Sequence, residues 1–149
     1  MANDVQGLNQ LRWVMTKKIP DAVEKAATEA LEQGATEIVA TMKRLVPIDS
    51  GALRDSIGWT WGDPPEGAMV LGGSKAVGGE GRREITIYAG NALTRVGSRK
   101  QFQLARLQEF GTKEMDANPF FFPAYRTLRR RVRSRITRNM KKAIRDVVK

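Results

Sequence analysis

Between residues 4 and 15, Val5, Leu8, Leu11, Val14 and Met15 follow one another at spacings of three and four, the repeat that lines one face of a helix. Only Gly7 interrupts this short amphipathic segment, which reads as a helix lying against something larger. A stronger helical segment opens at Pro20-Asp21, because proline is tolerated at the first helical position and an acidic first turn suits the helix dipole. Its apolar face runs through Val23, Ala27, Ala30, Leu31, Gly34, Ala35, Ile38, Met42 and Leu45, while Glu24, Lys25, Glu29, Glu32, Glu37 and Lys43 occupy other faces. The small residues Ala27, Ala30 and Gly34 would admit a neighbouring backbone closely, and Pro47 ends the helix.

The period then changes. Ile57, Trp59 and Trp61 alternate with Gly58 and Thr60, and Ile85 and Ile87 alternate with Thr86 and Tyr88, the two-residue repeat of half-buried strands; a third strand is expected near Ala68 to Leu71. Gly62-Asp63-Pro64-Pro65 is a turn, and the glycines from Gly72 to Gly81 mark a mobile loop or a long hairpin tip. Residues 91 to 103 are polar and basic. Leu104, Leu107 and Gln108-Glu109-Phe110 then predict a short helix closed by Gly111, and after a turn-rich stretch from Met115 to Pro123 a last long helix follows. Its stripe is Tyr125, Leu128, Val132, Ile136, Met140, Ile144 and Val147, and from Pro123 to Lys149 it would extend about 40 Å at ~1.5 Å per residue. No internal repeat is visible.

These elements predict an α+β fold, a small antiparallel sheet packed against a long helix in the N-terminal half, with a long basic C-terminal helix. At 149 residues the chain is expected to form a single domain: a short N-terminal helix (1–19), an α+β body (20–123) with a mobile glycine-rich loop (62–82), and the terminal helix (124–149).

Composition narrows the function. The chain has neither cysteine nor histidine, which removes disulfides, thiolate nucleophiles, Cys/His zinc sites and the usual neutral-pH general base. No cofactor, metal or catalytic set is expected, and the chain reads as a non-enzyme. No stretch approaches the ~20 apolar residues of a membrane span, and the N-terminus lacks a basic segment followed by an apolar run, so the expected setting is a cytoplasm or a particle assembled there. The net charge of +10 is not spread evenly. Arg126, Arg129, Arg130, Arg131, Arg133, Arg135, Arg138, Lys141, Lys142, Arg145 and Lys149 face a single acid, Asp146, so the terminal helix carries all of it and residues 1–125 are neutral in sum. Such segregation points to a polyanionic or acidic partner for that helix, with Arg126, Arg129, Arg130, Arg133, Arg138, Lys141, Lys142 and Arg145 facing it. A solvated helix face would mix signs, a membrane-surface helix would carry bulky apolar residues, and no base-reading module accompanies this one.

Three further segments stand out. In Pro47-Ile48-Asp49-Ser50-Gly51-Ala52-Leu53-Arg54-Asp55-Ser56-Ile57, Asp49 or Ser50 can cap orphan N–H groups, Gly51 permits an unusual backbone angle, and Leu53 and Ile57 return to the core. Ser50 has no histidine or paired lysine to activate it, so a capped connection is favoured over a nucleophile, with Arg54 and Asp55 left for a partner subunit. Glu109-Phe110-Gly111-Thr112 could present a catalytic acid, but no second carboxylate is nominated; the structural reading puts Phe110 in the core. Ala117-Asn118-Pro119-Phe120-Phe121-Phe122-Pro123-Ala124 holds three aromatics between prolines; an extended segment would turn at least one of them outward, to solvent or another subunit, and simple burial under the terminal helix is the equal alternative.

In this order and between these helices, the three segments resemble the gene-product-ten-like tail-component family of lambda-like siphophages, also described as neck or tail-completion proteins. The resemblance begins at Val5-Gln6-Gly7-Leu8, passes through Val46 to Ile57, Tyr88-Ala89 and Gln108 to Thr112, and ends at Ala117 to Ala124, so it covers most of the chain. Ser50 stands where the family usually shows threonine, which keeps the hydroxyl, and residues 91 to 103 look like an insertion. The resemblance implies an α+β virion subunit in a ring, six-fold to match a tail tube, at the head–tail junction. Its partners would be copies of itself and the terminator, connector, tail-tube or tape-measure proteins, with contact to DNA in the channel open and no catalytic step. Pro47, Asp49, Ser50, Gly51, Leu53, Arg54, Ser56, Glu109, Phe110, Gly111, Thr112, Pro119, Phe120 and Pro123 are then the motif and interface candidates. The alternative is a cytoplasmic, non-specific nucleic-acid-binding protein acting through the basic helix; a hydrolase would require paired carboxylates converging in a cleft.

Overall fold

The computed structural model describes residues 7–70 and 84–149. The chain opens with α1 (Leu8–Trp13), passes through a π-helical turn (Val14–Lys18) and continues without a break into α2 (Ile19–Leu45). The helix start expected at Pro20-Asp21 is therefore not a start. Proline has no N–H, and its ring crowds the carbonyl four residues back. The preceding turn is widened, with the Ile19 N–H donating to Val14 O five residues back, and Pro20 is carried inside a continuing helical path. Pro47 ends the path as expected, α2 stopping at Leu45.

A four-residue helix α3 (Ala52–Asp55) leads into a three-stranded antiparallel sheet of β1 (Gly58–Trp61), β2 (Met69–Val70) and β3 (Ile85–Ala89), in the order β1-β3-β2. Trp59 pairs with Ile87, Trp61 with Ile85 and Met69 with Ala89, so both segments read as alternating strands lie side by side and the third strand falls where it was expected. Trp59 and Trp61 meet edge to face at 6.4 Å, and Trp59 Nε1 donates to Thr36 Oγ1 at 3.2 Å, tying β1 to α2. The glycine-rich segment predicted to be mobile falls mostly on residues 71–83, outside the described residues.

Residues 91–103, read only as an insertion, form a 3-10 turn (Ala92–Thr94) and a second ribbon of β4 (Arg95–Val96) paired with β5 (Phe102–Gln103). Strands of two residues have no period to detect. Next come α4 (Leu104–Phe110) and α5 (Phe121–Val148), whose first turn begins ahead of the expected Pro123. The architecture is α+β: a long helix in the N-terminal half, a small antiparallel sheet and a long C-terminal helix.

Two compact units emerge, residues 1–33 with 130–149, and residues 34–129. In the first, Ala30 and Val132 are buried. The second holds Ile38, Val39, Met42, Val46, Leu53, Ile57, Met69 and Ile87 inside, with Phe120 and Phe121 completely enclosed. Of the face predicted for α2, Ala30, Gly34, Ala35, Ile38 and Met42 are buried, whereas Leu45 is exposed and Val46 takes the inward position.

Candidate functional site

The 47–57 segment is built by its own polar atoms. Gly51 takes a positive φ of 82°, the Asp55 N–H returns to Gly51 O at 3.0 Å, and Ser50 Oγ accepts weakly from the Ala52 N–H at 3.4 Å. Ser56 is the buried anchor: its hydroxyl donates to Leu53 O at 2.6 Å and accepts from the Gly90 N–H, at the end of β3, at 3.1 Å. Leu53 and Ile57 lie in the core, Pro47 and Gly51 are half-buried, and Ile48, Asp49, Ser50, Arg54 and Asp55 face outward. Ser56→Ala leaves the buried Gly90 N–H without an acceptor and is expected to cost about 1–3 kcal/mol, read as a lowered urea midpoint at constant slope.

The 109–112 segment has a different interior residue from the one expected. Phe110 is 66% exposed, and Glu109 is the one inside, at 5%. Ala105 and Glu109, four apart on α4, share the buried face, and Phe110 is turned off it. Glu109 Oε2 accepts from the N–H groups of Phe120 (2.8 Å) and Phe121 (2.9 Å), and Oε1 from that of Phe122 (3.1 Å). The first four N–H groups of a helix have no partner within it. In α5 these belong to Phe120, Phe121, Phe122 and Pro123; proline has none, and one carboxylate serves the other three.

The intervening loop is folded to make that possible. Gly111 ends α4 with φ 72°, and its N–H donates to Leu107 O at 2.8 Å. A Cβ there would come within 2.7 Å of Ala117 N and 2.8 Å of Met115 O. Thr112 Oγ1 accepts from the N–H groups of Glu114 and Met115, and the Asn118 N–H reaches back to Gln108 O at 2.7 Å. Because α5 begins at Phe121, the alternation expected of an extended segment does not apply. Phe120 and Phe121 are fully buried, Phe122 and Pro123 are half-buried, and Pro119 is exposed.

A second polar hub fixes the 91–103 ribbon. Gln103 is buried, its Nε2 donating to Gly67 O (3.1 Å) and Asn91 O (3.2 Å), and Thr94 Oγ1 bonds its Oε1. Neither Thr94 nor Gln103 stands out in the sequence. Beside this hub lies a groove of about 700 Å³ lined by Met69, Arg95, Phe102, Arg106, Phe110 and Phe122. Phe110 packs on Phe122 at 6.1 Å and Phe122 on Phe121 at 5.5 Å, so aromatic rings run from the core to the groove's rim.

On α5, Arg126, Arg129, Arg130, Arg133, Arg138, Lys141, Lys142 and Arg145 are all exposed. Within 130–149 they form two rows of four-residue spacing, Arg130, Arg138 and Lys142 in one and Arg133, Lys141 and Arg145 in the other, with Ser134 and Thr137 between. Six cations thus lie along about 22 Å of helix. Among the described residues there is no helix long and apolar enough to cross a membrane, and no cluster of three or more acidic residues that could hold a metal ion.

A family model for the bacteriophage HK97 gp10-like tail component matches residues 15–111. No curated protein and no solved structure matches the chain. The matched stretch includes the 47–57 segment and the Glu109 carboxylate, and stops ahead of the aromatic triplet and α5.

Proposed function

The chain belongs to the bacteriophage HK97 gp10-like tail-component family, and on that premise we propose that it completes the tail at its junction with the head. Membership makes it a structural protein of a phage virion that works among other virion proteins. In the proposed role copies form a ring, six to match a tail tube, between the connector or terminator and the tube or tape-measure proteins, and α5 turns its cations toward an acidic partner surface.

The observation that carries this reading is the family match over residues 15–111. The motif residues agree with it, for their chemistry is spent on backbone. Both Glu109 oxygens accept from α5, and Ser56 is shared between Leu53 and Gly90. Particles made without the protein are expected to show free heads and unjoined or incomplete tails by negative-stain microscopy. Normal numbers of joined, infectious particles would end the proposal.

The exposed rows of α5 favour a second reading, non-specific binding of nucleic acid. Six cations over about 22 Å approach the density of one phosphate per ~3.4 Å of a duplex strand. If that is their role, log K for duplex DNA falls steeply with log salt, and Arg133→Ala with Lys141→Ala shallows the slope by about 0.9 for each phosphate that is no longer neutralised. A slope unchanged by these substitutions assigns the rows to a protein partner.

A further inference from the structure

The exposed loop at 47–51 and the groove beside β2 are complementary, and we infer that they join neighbouring copies of this chain head to tail. This rests on the ring proposed above and names the contact that would build it.

The loop offers an apolar knob with one carboxylate next to it in the chain and a second at the end of the short helix that follows. Ile48 is 67% exposed, between Pro47 and Asp49, and Asp55 is exposed at the end of α3. The knob is held stiffly by the fixed φ of Pro47, the turn at Gly51 and the buried Ser56 anchor. A large aliphatic side chain held out in water gains by being covered.

The groove offers the opposite. Phe102 is 53% exposed and Phe110 66%, and Arg95 and Arg106 stand among them. The Arg95 guanidinium donates to the Glu66 carbonyl at 3.3 Å, and the described residues give neither arginine a carboxylate partner. Aromatic side chains and arginine are the residues enriched in protein interfaces, and two guanidinium groups without a carboxylate select an acidic occupant. Charge also decides between this loop and the exposed apolar face of α1. Leu8, Leu11 and Met15 on α1 are bordered by Arg12, Lys17 and Lys18, which would bring like charge to Arg95 and Arg106. Ile48 comes with Asp49 and Asp55 against one exposed cation of the same segment, Arg54, so the 47–57 segment is acidic in sum.

Loop and groove both lie in the 34–129 unit, and they are different patches. A contact between different patches is heterologous, so each copy that fills a groove leaves its own open to the next, and the series forms a ring where the rotation from copy to copy closes, as the proposed tail role requires.

The chain's lack of cysteine makes the test clean. Full-length protein carrying both Ile48→Cys and Arg106→Cys is assembled into particles, oxidised and run without reductant. The expected result is a ladder of dimer, trimer and higher multimers, with neither single variant passing beyond a dimer. In a parallel arm, Asp49→Arg and Arg106→Asp each weaken ring formation at least tenfold while leaving the circular dichroism spectrum unchanged, and the two together restore it. Rings that persist in both single variants, a cross-link confined to one chain, or an adduct to a different tail protein overturn this contact and leave the tail role standing. A wild-type chain that is single in finished particles overturns the contact and the ring together.

Discussion

Glu109→Ala is expected to lower the unfolding free energy by about 4 kcal/mol, a large share of what a domain of this size possesses. The carboxylate accepts three N–H groups at the start of a 28-residue helix. Bonds to a charged acceptor contribute about 1.5–3 kcal/mol each, and a carboxylate at a helix N-terminus adds up to ~2 kcal/mol more. Simple addition overstates the loss, because the freed N–H groups recover some water. Two milder substitutions separate the causes. Glu109→Gln keeps an acceptor oxygen but turns an amide NH₂ toward at least one donor, and should cost about 2–3 kcal/mol. Glu109→Asp keeps the charge but withdraws it by one methylene from donors now at 2.8–3.1 Å, and should cost a similar amount. Urea unfolding followed at 222 nm reads all three. A Glu109→Ala variant within 1 kcal/mol of wild type would remove the cap from the explanation. Stability that rises on substitution would instead mark Glu109 as a strained functional acid.

The same carboxylate shows where the sequence is readable and where it is not. The periodic elements were legible, because burial of Ala30, Gly34, Ala35, Ile38 and Met42 on α2 and pairing of Ile85 and Ile87 against β1 follow from spacing alone. Pro20 misled, since a rule that marks helix starts cannot foresee a widened turn that carries the chain through. The aromatic triplet stayed open between exposure and burial for a longer-range reason. No Ser, Thr, Asp or Asn directly precedes Phe121 to announce a helix, and the group that caps it lies eleven to thirteen residues upstream. One signal was present: Ala105 and Glu109 are four apart, and the inward face of α4 could have been drawn through them rather than through Phe110. The groove was not visible at all, because Phe102, Arg106 and Phe110 meet only through the unanticipated ribbon of β4 and β5.

Gly90→Ala is the second change with a large expected effect, about 3 kcal/mol, and it separates backbone strain from crowding. Gly90 is buried with φ 99°, where an L side chain is disfavoured by roughly 1–2 kcal/mol. A Cβ there would also collide with the side-chain amide of Gln103. A free glutamine would swing aside at little cost. This one is held by Gly67 O, Asn91 O and the Thr94 hydroxyl, so displacing it strips the buried Gln103 amide of its partners, at about 1–3 kcal/mol. A double-mutant cycle tests the division. Gln103→Ala alone should cost about 2 kcal/mol through the same broken bonds, but should cost much less once Gly90→Ala has already expelled the amide. Additive losses would place the whole effect of Gly90→Ala in the backbone. Coupling of about 1 kcal/mol or more would show that the β3 end and β5 are one polar unit, to which the Ser56 hydroxyl, accepting the Gly90 N–H, ties the 47–57 segment.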